Sequence, residues 1–165
     1  MNYRNLTILS MIVLAVITRL LPHPPNMAPI TAMALFAGCN IKNKNLALLL
    51  PLLCMFVTDI FLGFHMIMPF VYLSFMCISY IGIGSKKITN GTILGSSLLF
   101  FLVTNFGVWY LGYPNTLAGL VSCYTLALPF FISTIIGDLF FTHSLSYSFS
   151  KLEEKYPILR LGEIK

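Results

Sequence analysis

Residues 91–116 read GTILGSSLLFFLVTNFGVWYLGYPNT and decide the fold class. This stretch contains no formally charged side chain, and its first part, residues 91–110, is mostly apolar or small. About 20 such residues carry an α-helix across the hydrocarbon core of a bilayer. The sequence therefore predicts a transmembrane helix over residues 91–110, followed by an uncharged turn.

The whole chain has the same apolar character. Of its 165 residues, 58% are hydrophobic and 9% are charged, and the mean hydropathy is +0.87. Soluble domains carry about 25% charged residues, so the composition predicts an integral membrane protein. Spans of about 20 residues leave only short loops between them, which excludes a soluble catalytic or nucleotide-binding domain.

Five more apolar segments accompany residues 91–110. The predicted fold class is an all-α integral membrane protein, with a bundle of six transmembrane helices in residues 1–141 and a polar cytoplasmic tail in residues 142–165. A helix on the membrane surface is one interpretation of that tail. The six segments cover residues 5–21, 27–39, 46–62, 66–83, 91–110 and 117–141.

The second segment, residues 27–39, is too short for a full span, so we expect it to pack within protein rather than against lipid. It carries two pairs of small residues four positions apart. Such pairs let two helices approach closely in a membrane. The residues that we predict to contact a partner in this way are Ala28, Ala32, Ala34 and Gly38.

The basic residues predict the orientation of the chain. When the loops are numbered alternately, nine of the ten Lys and Arg residues fall on one side, and the exception is Arg19 within the first segment. Cytoplasmic loops carry the excess of Lys and Arg. Both termini are therefore predicted to lie in the cytoplasm, and the uncharged loops to face outward.

Polar side chains gather toward the predicted outer ends of the segments. A charged group at membrane depth is costly and usually pairs or faces the protein interior. We therefore predict an ion pair or a shared polar cavity for Arg19 and Asp59, with a purely structural bridge as the alternative. Asp138 is expected at a cytoplasmic helix end or a partner contact, with a substrate role as the alternative. The predicted substrate-binding residues are Arg19, Asn26, Asp59, His65, Tyr72, Asn105, Trp109, Tyr113 and Asn115.

Asn105 and Trp109 lie four residues apart, so they share one helix face. An aromatic ring beside amide groups suits an uncharged or zwitterionic small molecule. The alternative for Trp109 and Tyr110 is an interfacial aromatic belt, which forms wherever helices leave a bilayer.

No motif of an enzyme, a cofactor site or a metal site is visible. The three histidines lack the spacing of a metal site, and no serine or cysteine has an evident catalytic base. The stretch GIGSKK, residues 82–87, lacks the spacing of a phosphate-binding loop. The sequence predicts neither an enzyme nor a bound cofactor, and no nucleic-acid partner.

Three stretches together resemble a bacterial family of small membrane transport proteins: residues 19–38 (RLLPHPPNMAPITAMALFAG), residues 59–65 (DIFLGFH), and residues 104–116 followed by ALPFF at 127–131. That family is similar to the substrate-binding S components of energy-coupling factor (ECF) transporters. The resemblance implies a six-helix protein of the bacterial inner membrane that captures a vitamin or another micronutrient near its outer face. It also implies a membrane-embedded coupling subunit and ATPases as partners.

Two functions remain open at this point. The first is a substrate-capture subunit for the uptake of a small solute, and the second is a non-transporting assembly or scaffold protein of the membrane. S components dock their coupling subunit through small residues of the first helix. Here the first segment offers only Ser10 and Ala15, whereas the small pairs lie in the second segment.

Overall fold

The computed structural model describes residues 3–22, 26, 27, 29–85 and 87–160, and this part of the chain is all-α. Three of its helices, α3, α5 and α6, are long and apolar enough to cross a membrane, and α2 and α4 are shorter apolar helices. The described helices are α1 (Tyr3–Arg19), α2 (Ile30–Asn40), α3 (Lys44–Leu62), α4 (Met68–Gly84), α5 (Asn90–Gly112) and α6 (Leu117–Lys155), and a short 3₁₀ helix, η1, follows at Pro157–Leu159.

The outer surface of the long helices is apolar. On α3, for example, Phe56, Ile60 and Phe61 are exposed although each is large and hydrophobic. A surface of this kind, on helices of this length, suits contact with lipid. The six predicted segments correspond in order to α1–α6, and the composition and helix lengths are those of a multi-pass membrane protein.

Helix α2 lies at the centre of the bundle. Every residue from Ile30 to Gly38 is buried, and the helix contacts α1, α3, α4, α5 and α6. Its 11 residues span about 16 Å, which is about half of the ~30 Å hydrocarbon core. The expectation that this segment packs within the protein is confirmed. At 11 residues, α2 is one of the shorter apolar helices and not one of the three long enough to cross a membrane, as the length of its segment indicates.

Two glycines bring the backbones of α2 and α4 into close contact. A Cβ atom on Gly38 would lie 2.5 Å from the backbone oxygen of Ser79 and 2.9 Å from the Cα of Gly82, so α2 and α4 cross backbone against backbone. Ala32 and Ala34 are also fully buried. These three residues therefore contact their own chain and cannot reach an outside partner, which corrects the predicted partner surface. Ala28 lies outside the described residues.

Helix α6 continues past the predicted end of the last span. It runs through Pro129 and on to Lys155 in one helix of 39 residues. The added turns are held by packing, because Phe149 is buried and its ring meets that of Phe36 edge to face with centroids 5.4 Å apart. As far as Lys155, the predicted separate tail is therefore the end of α6.

The buried cation Arg4 joins four elements at one end of the bundle. Its guanidinium pairs with the Glu153 carboxylate near the end of α6 and donates to the Leu159 carbonyl in η1 at 2.7 Å. It also donates to the Asn40 side-chain oxygen at 3.3 Å, and it lies 4.8 Å from the centre of the Phe149 ring. Arg4 therefore links the start of α1 to the ends of α2 and α6 and to η1.

Arg4→Lys is expected to loosen this end of the bundle. A lysine ammonium keeps the charge, but it cannot reproduce the planar fork that bonds Glu153, Leu159 and Asn40 at once. We expect a loss of about 1–3 kcal/mol in the free energy of unfolding and faster trypsin cleavage near η1. Unchanged cleavage in Arg4→Lys would contradict this role for Arg4.

Candidate functional site

Arg19 and Asp59 form the predicted ion pair at the other end of the bundle. Arg19 is the last residue of α1, about 22 Å along the helix from Arg4. Its Nη2 lies 2.6 Å from Oδ1 of Asp59, whose side chain is 1% exposed. Arg19 also donates to the Thr58 hydroxyl and to the Met55 carbonyl, the latter at 3.4 Å. The guanidinium is therefore fixed against the last turns of α3.

Tyr72 completes the environment of the Asp59 carboxylate. Its hydroxyl donates to Oδ2 of Asp59 at 2.8 Å. Tyr72 is in the second turn of α4, and a short turn brings α4 back beside α3. That turn begins at Gly63, whose φ of 94° is one that side chains with a Cβ rarely adopt. The local sequence thus places Tyr72 where it orients Asp59.

A cavity of about 350 Å³ lies beside this pair. Every α-helix contributes to its wall, as do Asn26 and the α3–α4 turn. Asp59 and Tyr72 are not part of the wall: Asp59 pairs with Arg19, and Tyr72 bonds Asp59. The lining residues are Arg19, Asn26, Ile30, Thr31, Met55, Leu62, His65, Val71, Phe75, Phe100, Thr134 and Asp138.

Asp138 is the residue of this cavity that sequence reasoning misplaced. It was expected at a helix end or a partner contact, but it is buried, 1% exposed, and lines the cavity. The Ser97 hydroxyl donates to its Oδ2 at 2.6 Å, and the Thr31 hydroxyl also bonds it. One signal was present in the sequence: Thr134 and Asp138 are four residues apart and so share a helix face.

The depth of α2 explains the position of Asp138. The chain enters α2 only at Ile30, and Met27 lies against α6, with its Cα 3.2 Å from where a Cβ on Gly137 would lie. A side chain with a Cβ at this position would require Met27 to shift by a few tenths of an ångström. Met27 therefore lies inside the bundle, against the residue next to Asp138.

A second cavity, of about 340 Å³, lies between α5 and α6. Asn105 of α5 and Tyr113, the residue that follows α5, line it. Asn26 lines both this cavity and the first one. The two cavities therefore adjoin at Asn26, whose φ of 60° is left-handed. The Asn105 amide nitrogen donates to the Phe101 carbonyl of its own helix at 2.8 Å.

Trp109 and Asn115 line neither of these two cavities. The Trp109 indole N–H donates to the Pro114 carbonyl at 3.2 Å, and its ring contacts that of Phe106 with centroids 5.5 Å apart. Asn115 is exposed in the turn before α6. For Trp109 the geometry favours the belt alternative over direct contact with a solute.

The described residues contain no group of three or more His, Cys, Asp or Glu side chains that could hold a metal ion. A protein-family model for a family of unknown function, DUF6580, matches residues 1–159. The chain belongs to the DUF6580 family. No curated protein and no solved structure matches this DUF6580 member.

Proposed function

We propose that this DUF6580 protein is a substrate-capture subunit of the bacterial inner membrane. It would take a small solute, such as a vitamin or another micronutrient, from the outer face into the first cavity. This cavity is lined by Arg19 and Asp138 and is called the Arg19–Asp138 cavity. In this proposal the bundle is a multi-pass membrane domain with both termini in the cytoplasm, similar to an ECF S component. The observation that carries the proposal is a cavity of about 350 Å³ with polar side chains inside an otherwise apolar bundle.

The energetics of burial support a ligand site. Ligand cavities are usually about 300–1,000 Å³, mainly apolar, with a few convergent polar groups. The Arg19–Asp59–Tyr72 cluster satisfies its own charges and needs no ligand. Asn26, His65 and Asp138, however, also face the cavity. Of these, Asn26 and His65 are exposed, whereas Asp138 is buried. Burying a charged group is costly unless it is paired, so a polar solute beside Asp138 would offset that cost.

Coupling to a transport partner would use another surface than α2. The small residues of α2 are occupied by α4 and by the rest of the bundle. In the proposal, an ECF coupling subunit and its ATPases would dock on exposed faces of the remaining helices. Purification of the protein from native membranes in a mild detergent tests this coupling directly. Co-purification of ATPases would support the proposed coupling, and their absence would contradict it.

An assembly or scaffold protein is the second candidate. The observation that favours it is the same Arg19–Asp59–Tyr72 cluster, because a bridge between α1, α3 and α4 stabilises the bundle without any solute. The two functions differ in one measurable way. A capture subunit should be stabilised by a solute in a panel of vitamins and metabolites, as measured by thermal unfolding of the purified protein, whereas a scaffold should respond to none.

Asn105→Ala is expected to weaken solute binding without unfolding the protein, if the solute extends into the second cavity. The Asn105 amide bonds only a carbonyl of its own helix among the contacts described, and a net loss of about 1 kcal/mol or less in stability is expected. Binding should weaken about tenfold or less, since one neutral hydrogen bond is removed. Asn115→Ala, in the exposed turn, is the matched control. Equal affinity in both variants would exclude the second cavity from the site.

A further inference from the structure

Asp138 is a buried carboxylate without a basic partner in the described part of the chain. The ion pairs found there join Arg4 to Glu153, Arg19 to Asp59, and Lys151 to Glu154. Asp138 is bonded instead by the hydroxyls of Ser97 and Thr31, and it is 1% exposed. Hydroxyl donors orient a carboxylate but leave its charge uncompensated.

The carboxylate lies deep in the bundle. Ser97, which bonds it, is about 10 Å from the first residue of α5 and about 22 Å from the last. A charge at such depth normally pairs with an opposite charge or faces a cavity. Asp138 lines the cavity, so the position left for an opposite charge is in the cavity itself.

An aromatic wall lies in the same cavity. The rings of Phe75 and Phe100 stack with their centroids 5.2 Å apart, and both residues line the cavity with Asp138. The face of an aromatic ring attracts cations, and organic ammonium groups bind particularly well to such surfaces. Mg²⁺ and Ca²⁺ need several oxygen ligands, which phenylalanine rings do not supply.

The other titratable groups of the cavity lie toward the outer end. Arg19 ends α1 and is engaged by Asp59, and His65 is in the turn after α3. The cavity therefore combines a fixed cation near its outer end with an uncompensated anion deeper inside. This polarity favours a solute that enters with its positive end first.

We propose that the captured solute carries a protonated amine or a quaternary ammonium group, and that Asp138 binds this positive charge beside Phe75 and Phe100. This inference rests on the proposed capture function. It narrows the solute to a small organic cation or a zwitterion with an exposed ammonium group.

Matched pairs of probes test the charge. Choline and its uncharged isostere 3,3-dimethyl-1-butanol form one pair, and ethanolamine and ethylene glycol form the other. Binding to the purified full chain is measured from the thermal unfolding midpoint over a concentration series, with NaCl and KCl as inorganic cations. We expect each cationic probe to bind at least about tenfold more tightly than its neutral partner. For ethanolamine this is the usual effect of a hydrogen-bonded charge, and for choline, which has no N–H, it is the effect of a cation beside a carboxylate and aromatic rings.

Asp138→Asn should remove this preference, because the amide keeps the shape but not the charge. Thr142→Val is the control: Thr142 is one turn along α6, buried, outside the cavity wall, and its hydroxyl has no partner among the described residues. The preference should persist in it. If Asp138→Asn does not fold, Phe100→Leu takes its place and should reduce the ratio of cation to neutral affinity.

Three results would overturn the inference. They are equal binding of charged and neutral probes, an unchanged preference in Asp138→Asn, and binding of Na⁺ or K⁺ that matches the organic cations. The experiment distinguishes a failure of this charge assignment from a failure of the proposed capture function. If neutral or acidic members of a vitamin and metabolite panel bind while cations do not, the protein still captures a solute and only the charge assignment is wrong. If no solute binds, the capture function itself fails.

Discussion

Arg19→Met is expected to lower the free energy of unfolding by about 3–5 kcal/mol, the usual cost of leaving a buried charge unpaired. Asp59, which is 1% exposed in the native chain, would keep only the Tyr72 hydroxyl as a described side-chain partner. Unfolding of the purified protein in mixed micelles, with an increasing fraction of a denaturing detergent, measures this loss.

The double variant Arg19→Met/Asp59→Leu should recover most of that stability. Replacing both members of a buried pair by apolar residues of similar size is often neutral or stabilising. Lys151→Met is the control, because the Lys151–Glu154 pair is exposed on both sides and exposed pairs contribute little. A double variant as unstable as Arg19→Met would contradict the assignment of the loss to an unpaired Asp59.

The same double variant separates the two candidate functions. It restores an apolar bridge between α1 and α3 but removes the guanidinium from the cavity wall. If the cluster only stabilises the bundle, the double variant keeps every property of the native chain. If the cavity captures a solute, the double variant folds but binds that solute with a changed affinity, because a side chain of the cavity wall has been replaced.

Gly38→Ala is expected to destabilise the bundle by about 1–3 kcal/mol or more, the range for overpacking a tight contact. The added Cβ would meet the Ser79 carbonyl at 2.5 Å and the Gly82 Cα at 2.9 Å. These are backbone atoms, so no side chain can rotate away and the two helices must separate. The loss is measured in the same detergent unfolding experiment.

Gly95→Ala provides the matched control for Gly38→Ala. Gly95 is inside α5, and a Cβ there would meet nothing within 4 Å. Alanine should therefore leave stability unchanged or raise it by up to about 1 kcal/mol, since glycine is the poorer helix former. Similar stability of the two variants would show that α2 and α4 do not cross as closely as the structure has them.

The number and order of the helices could be predicted from the sequence because the apolar segments are separated by charges, prolines and glycines. The Arg19–Asp59 pair could also be predicted. Each residue is a charge at the same end of an apolar segment, and such charges usually pair. Both predictions rest on the cost of burying a charged side chain in an apolar segment, and the positions of charged residues relative to apolar segments can be read from the sequence.

How deeply each helix lies in the bundle, and which helices it contacts, could not be predicted from the positions of charged and apolar residues. Ala32, Ala34 and Gly38 indicate that some helix comes close, but their pattern is the same whether that helix is α4 or belongs to another chain. Asp138 was misplaced for a related reason. Its position in the cavity depends on Met27 lying against Gly137, a contact between distant parts of the chain. Likewise, α6 extends to Lys155 because Phe149 finds a partner in α2.

The central claim, that the chain captures a small solute in the Arg19–Asp138 cavity, is tested most directly by equilibrium dialysis. The purified protein and its Arg19→Met/Asp59→Leu variant are dialysed against a metabolite extract, and retained compounds are identified by mass spectrometry. We expect the native chain to concentrate one or a few small solutes and the folded variant, whose cavity wall is altered, to retain them in a different amount. Retention of no solute, or of the same solutes in the same amounts by both proteins, would contradict the claim.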